Sequence, residues 1–90
     1  MKTSEIQSAL FGYADSVGRM KNGHIIVRRG FFYKHGMDSS IFADKVIKTL
    51  QKKGIPAQLI NHYEQWKPFR GGDSVAKGSH FGVELVIDEQ

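Results

Sequence analysis

Cysteine is absent from the chain, which excludes a disulfide framework and thiolate chemistry and fits a reducing compartment. No apolar run approaches the roughly 20 residues of a membrane-spanning helix. The opening stretch MKTSEIQS lacks the apolar core of a signal peptide, so the sequence reads as a soluble cytoplasmic protein. Acidic residues are sparse over the first two thirds. Between Asp15 and Asp38 there are five basic side chains (Arg19, Lys21, Arg28, Arg29, Lys34) and no carboxylate, and none appears from Lys45 to Lys53 or onward until Glu64. Such an uneven field, on a chain of net charge +4, draws polyanions or an acidic protein surface.

What is present is enough for one domain spanning residues 1–90. Apolar residues make up 40% and aromatics 11%, ordinary proportions for a folded globule, with room for one modest core. The stretch from His24 to Gly54 organises the rest. Alternation puts Ile25, Val27, Phe31 and Tyr33 on one face of a strand, and His24, Ile26, Arg28, Phe32 and Lys34 on the other. Gly30 interrupts it as the mark of a bulge or a close backbone approach. Asp38-Ser39-Ser40 offers side-chain oxygens to a helix start, and Phe42, Ala43, Val46, Ile47 and Leu50 form one apolar stripe opposite Lys45, Lys48, Thr49 and Lys52. Gly54 and Pro56 close that helix.

Upstream, Ser4-Glu5-Ile6-Gln7 has capping-box form, and Ile6, Ala9, Leu10, Tyr13 and Val17 predict a helix running to about Val17 within residues 1–20. Lys21-Asn22-Gly23 reads as a turn. Residues 57–66 read as a second strand closing a strand–helix–strand unit over 24–66. Residues 67–79, with Pro68 and several glycines, read as an irregular loop. Residues 80–88 read as a final strand, with Phe81, Val83, Leu85 and Ile87 on one side and His80, Gly82, Glu84 and Val86 on the other. The expected fold class is α+β: one domain of order α-β-α-β-β, a three-stranded mixed sheet with both helices on one face. The opposite face would be left partly bare, displaying His24, Ile26, Arg28, Phe32 and Lys34 with His62, Glu64, Trp66, His80 and Glu84, and would serve as a binding surface or a homodimer contact.

His24, His35, His62 and His80 have no short paired spacing, so neither a metal nor any other cofactor is expected. Gly72 to Ser79 is not a phosphate loop, because a strand follows it and the anion cradle needs a helix N-terminus. Arg29-Gly30-Phe31-Phe32-Tyr33 resembles in part the aromatic strand on which RNA-recognition domains stack bases. Aromatics interleaved with arginine suit single-strand binding in general. Trp66-Lys67-Pro68-Phe69-Arg70 carries the residue types that dominate protein interfaces. Electrostatic contacts are assigned to Arg28, Arg29, Lys34, Lys45, Lys48 and Lys52, and the specific contact to Trp66, Phe69 and Arg70.

Two resemblances add to this. Lys77-Gly78-Ser79-His80-Phe81 resembles the GSH segment of HicA-type RNase toxins, which implies His80 as a catalytic base; the strand faces themselves, pairing His62 with Glu64 and His80 with Glu84, offer His62 or Glu84 for acid–base work beside it, helped by Arg28. GFFYKHG, FADKV, WKPFRGG and KGSHFGVELVI together resemble small phage- and prophage-encoded proteins over residues 24–87. That likeness implies a bacterial host cell and a protein that blocks a host machine or assists phage nucleic-acid metabolism. The first expectation is therefore a non-enzymatic binding protein for nucleic acid, or for a complex that handles it. A small histidine-dependent nuclease is the second.

Overall fold

The computed structural model describes residues 2–31, 36–68 and 77–88. The elements run α1 (Thr3–Ala9), β1 (Ser16–Arg19), β2 (Ile25–Phe31), α2 (Ser39–Lys52), β3 (Ala57–Pro68) and β4 (Lys77–Ile87). The sheet has four strands, not three, in the order β1-β2-β4-β3, and every pairing is antiparallel. No pairing is parallel, so the expected mixed sheet gives way to two antiparallel hairpins, β1–β2 and β3–β4, although β2 and β3, each antiparallel to β4, still run parallel to one another. α2 connects them, and β4 joins them at the centre.

The N-terminal region departs most from expectation. The helix stops at Ala9, and residues 16–19, expected near the helix end, form a strand instead. Lys2 occupies the N-cap with no side-chain hydrogen bond, so the anticipated capping box is not formed. Gly12, at φ +78, turns the chain after Leu10. Ile6 and Leu10 are nonetheless buried, and Ala9, Tyr13 and Val17 pack partly buried against the core. The helical spacing of those residues was real in its destination, but turn and strand deliver Tyr13 and Val17. The Asn22-Gly23 turn then reverses β1 into β2, closed by the Met20 amide donating to the His24 carbonyl at 2.7 Å.

α2 forms as its sequence signals require. The Asp38 carboxylate accepts from the Ile41 amide at 2.9 Å and from the Ser40 hydroxyl at 2.7 Å, and those two bonds hold its pKa below the usual carboxylate range. At the other end Gly54 adopts φ +80, and the Ile55 amide donates to the Leu50 carbonyl at 2.9 Å, a Schellman-type closure. Phe42, Ala43, Val46 and Leu50 are fully buried against Ile25, Val27, Phe81, Val83 and Leu85. Phe42 is the hub, with ring centroids 5.7 Å from Tyr13, 5.7 Å from Phe81 and 6.2 Å from Phe31. Both helices thus cover one sheet face, as their single apolar stripes demand.

The bulge lies elsewhere than Gly30. β2 pairs with β4 without a break through Gly30↔His80, while β3 carries an extra residue, Ile60, between Leu59 and Asn61. That one residue reverses the facing of everything after it in β3. β3 and β4 also extend to Pro68 and Lys77, so both ends of the expected 67–79 loop are paired strand.

Candidate binding surface on the open sheet face

Cross-strand register builds the uncovered face in three rows. Gly18, Ile26, Glu84 and Asn61 form one, Ser16, Arg28, Gly82 and Tyr63 the next, and Gly30, His80 and Gln65 the third. Each row mixes large side chains with glycine or serine, so the face is troughed rather than level. The resulting groove has a volume of about 1050 Å3, with Met20, Arg28, Tyr63, Gln65 and His80 among its walls and Gly82 in its floor. The Tyr63 ring lies against Gly82, where a Cβ would come within 2.8 Å of Tyr63 Cδ2.

At one end of this face a carboxylate ties three parts of the chain together. Glu84, only 8% exposed, accepts from Tyr63 Oη at 2.8 Å through Oε1, and meets His24 Nδ1 at 2.5 Å and Asn22 Nδ2 at 3.5 Å through Oε2. Asn22 Oδ1 in turn accepts from the His24 amide at 3.0 Å, bracing the β1–β2 turn. The His24 and Tyr63 hydrogen bonds hold the Glu84 carboxyl below its ordinary range against partial desolvation. The same bond, seen from the other side, raises the Tyr63 phenol, because losing its proton would set a phenolate beside a carboxylate. With both oxygens engaged, Glu84 is a brace rather than a base.

The expected site residues divide between surfaces. Arg28, His24, His80 and Glu84 do share the open face. His62, Glu64 and Trp66 do not: they pair with Val83, Phe81 and Ser79 and point to the helix side, because the Ile60 bulge shifts the alternation. His62 Nδ1 is hydrogen-bonded to Ser39 Oγ at 2.8 Å, beside the start of α2. The two histidines of the nuclease reading are therefore on opposite faces. Arg29 is on the core side, its guanidinium 5.3 Å from the Tyr13 ring centroid and 4.6 Å from that of Phe31, with Nη1 donating to the Tyr13 carbonyl at 2.7 Å. It clamps the edge of the core and is only half exposed. Lys45, Lys48 and Lys52 line the outer side of α2, away from Arg28, with Lys48 paired to Asp44 at 3.0 Å. Lys34, Phe69 and Arg70 lie outside the described residues, as do Phe32 and Tyr33 of the aromatic strand.

Tyr63, Gln65 and Asn61 were missed by straight alternation from Ala57; only knowledge of the bulge turns them outward. Among the described residues no group of three or more histidine or acidic side chains is placed to hold a metal ion. Nor, among them, is any helix long and apolar enough to cross a membrane. No protein-family model matches the chain, and neither curated proteins nor solved structures yield a match.

Proposed function

We propose that this chain is a non-enzymatic, cytoplasmic binding protein that takes a short run of single-stranded nucleic acid on its open sheet face, free or presented by a complex that handles it. In a phage setting it would act as an inhibitor or accessory factor of such a complex. The observation that carries this reading is the groove that combines Arg28, Tyr63, Gln65 and His80 over a glycine floor. A cation for phosphate, rings for stacking and an amide for base edges are the groups such ligands use. The separation of His62 from His80 and the double engagement of Glu84 weigh against the nuclease alternative. A second reading, a protein partner, is favoured by one observation: Trp66 is 62% exposed on β3, the strand that also leaves Leu59 and Ile60 half-exposed nearer its other end.

Fluorescence anisotropy with labelled single-stranded DNA and RNA tests the proposal at several salt concentrations. Affinity should fall with salt at a log–log slope of about −0.7 per phosphate neutralised. Arg28→Ala and Tyr63→Ala should each weaken binding about tenfold, in line with roughly 1–3 kcal/mol for a stacked base. Replacing Lys45, Lys48 and Lys52 together by alanine should weaken it less, since these groups face away and contribute only a screened field. Absence of binding, or loss in the lysine variant with none in Arg28→Ala, refutes the open-face reading.

A further inference from the structure

The sheet ends in two unlike edges. β1 is a four-residue strand, short enough to blunt its own edge, whereas β3 runs twelve residues and, among the described residues, no strand pairs with its outer side. β3 also carries four of the six exposed large apolar side chains among the described residues: Leu59, Ile60, Tyr63 and Trp66. A long outer strand with this much exposed apolar surface offers a template for another strand.

We propose that the β3 edge pairs antiparallel with β3 of a second copy, across a two-fold axis at Tyr63, so that two four-stranded sheets join as one of eight strands. The register follows from what β3 places opposite itself. Residues facing one another across an antiparallel pair must lie on the same side of the sheet. After the bulge, Asn61, Tyr63 and Gln65 share the open side and His62, Glu64 and Trp66 the helix side. A centre at Tyr63 meets that condition and sets His62 opposite Glu64 of the second copy, twice over by symmetry. It also sets Asn61 opposite Gln65, an amide pair, and brings Ile60 beside Trp66. Moving the centre to Glu64 would oppose two carboxylates, and moving it to His62 would oppose two imidazoles and set Glu64 against Ile60. Of these three centres only Tyr63 sets an acidic side chain opposite an imidazole and opposes no like groups except the tyrosines at the axis, and both members of that pair come from copies of this chain.

An axis perpendicular to the sheet keeps both open faces on the same side. The two Tyr63 backbones then meet at the seam, each ring leaning back over its own Gly82 towards Glu84, and the two grooves join in one trough. The dimer stands whether or not that trough binds nucleic acid. Failure of the ligand experiment leaves it intact, and a monomer would leave the single groove to be tested alone.

The absence of cysteine makes the test direct. Across the seam the Tyr63 Cα atoms would lie about 4.5–5.5 Å apart, inside the disulfide range of about 4.4–6.8 Å. Under mild oxidation, Tyr63→Cys should give a dimer that survives denaturing electrophoresis without reductant. Gln58→Cys, about 30 Å from its symmetry mate at ~3.3 Å per residue, should not. Sedimentation of the wild-type protein should show a dimer, and the double variant Ile60→Lys, Trp66→Lys should be monomeric with an unchanged circular dichroism spectrum. The proposal is overturned if the wild-type protein stays monomeric up to about 1 mM, which sets any Kd above that value. It is equally overturned if a dimer forms in which Tyr63→Cys remains reduced.

Discussion

Replacing Gly82 by alanine probes the open face at its tightest point. A Cβ there would sit 2.8 Å from Cδ2 and 3.2 Å from Cε2 of Tyr63, and 3.5 Å from Cδ1 of Ile26. The Ile26 contact is ordinary, but the first is about 1 Å inside a comfortable carbon–carbon separation. The ring must swing off the strand, and a side chain held about 30° from its rotamer costs roughly 0.5–1.5 kcal/mol. The swing also pulls the phenol away from Glu84, a bond now at 2.8 Å, whose loss costs on the order of 1 kcal/mol at a partly exposed site. Against this, alanine restricts the unfolded chain and returns about 0.4–1 kcal/mol. The net expectation is a destabilisation of about 1–2 kcal/mol, or a fall in Tm of roughly 5–15 °C for a domain of this size. Urea and thermal denaturation measure it, and a double-mutant cycle with Tyr63→Ala isolates the cause. In the Tyr63→Ala background Gly82→Ala should be neutral or stabilising, leaving a coupling of about 1.5–2.5 kcal/mol, the sum of the ring and hydrogen-bond terms. Equal cost in both backgrounds would show that the penalty arises from the strand and not from the ring, and the packing argument would fail.

Glu84→Gln tests the brace through pH. A carboxyl whose acidity is strengthened by folding contributes stability above its unfolded pKa, about 4.3 for glutamate, and loses that contribution as pH falls through its lower folded value. The stability gap between wild type and Glu84→Gln should therefore be widest near pH 6 and close towards pH 3; a gap independent of pH would contradict the hydrogen-bonding scheme. Phe42→Ala removes the ring that Tyr13, Phe31 and Phe81 surround, and denaturant titration should show a loss of about 3–5 kcal/mol, a large share of the stability of so small a domain.

The second helix and the inner strands were legible because several local signals agreed. Asp38 as cap, the apolar stripe from Phe42 to Leu50, and Gly54 as stop all point to one element, and alternation in β4 gives its two faces directly. The placement of His24, Arg28, His80 and Glu84 on the open side was legible for the same reason. Three things were not. Ile6, Ala9, Leu10, Tyr13 and Val17 satisfy a helical period, yet tertiary contacts let a turn and a short strand bring the last two to the core. Ile60 looks like any other apolar strand residue, and nothing local marks it as an insertion, so His62, Glu64 and Trp66 were assigned to the wrong side and Tyr63 was overlooked. Strand order depends on pairing between residues some sixty positions apart, as in Ile26↔Glu84, which no short window contains.

β4 sits between β2 and β3, although it follows both along the chain. During synthesis, the described elements before residue 77 amount to a two-stranded ribbon, two helices and a lone strand with no neighbour to receive it. The nascent molecule is thus obliged to keep its apolar surfaces waiting until β4 has left the ribosome. Assembly should then occur as one late, concerted event, slowed by the distant pairings it must close.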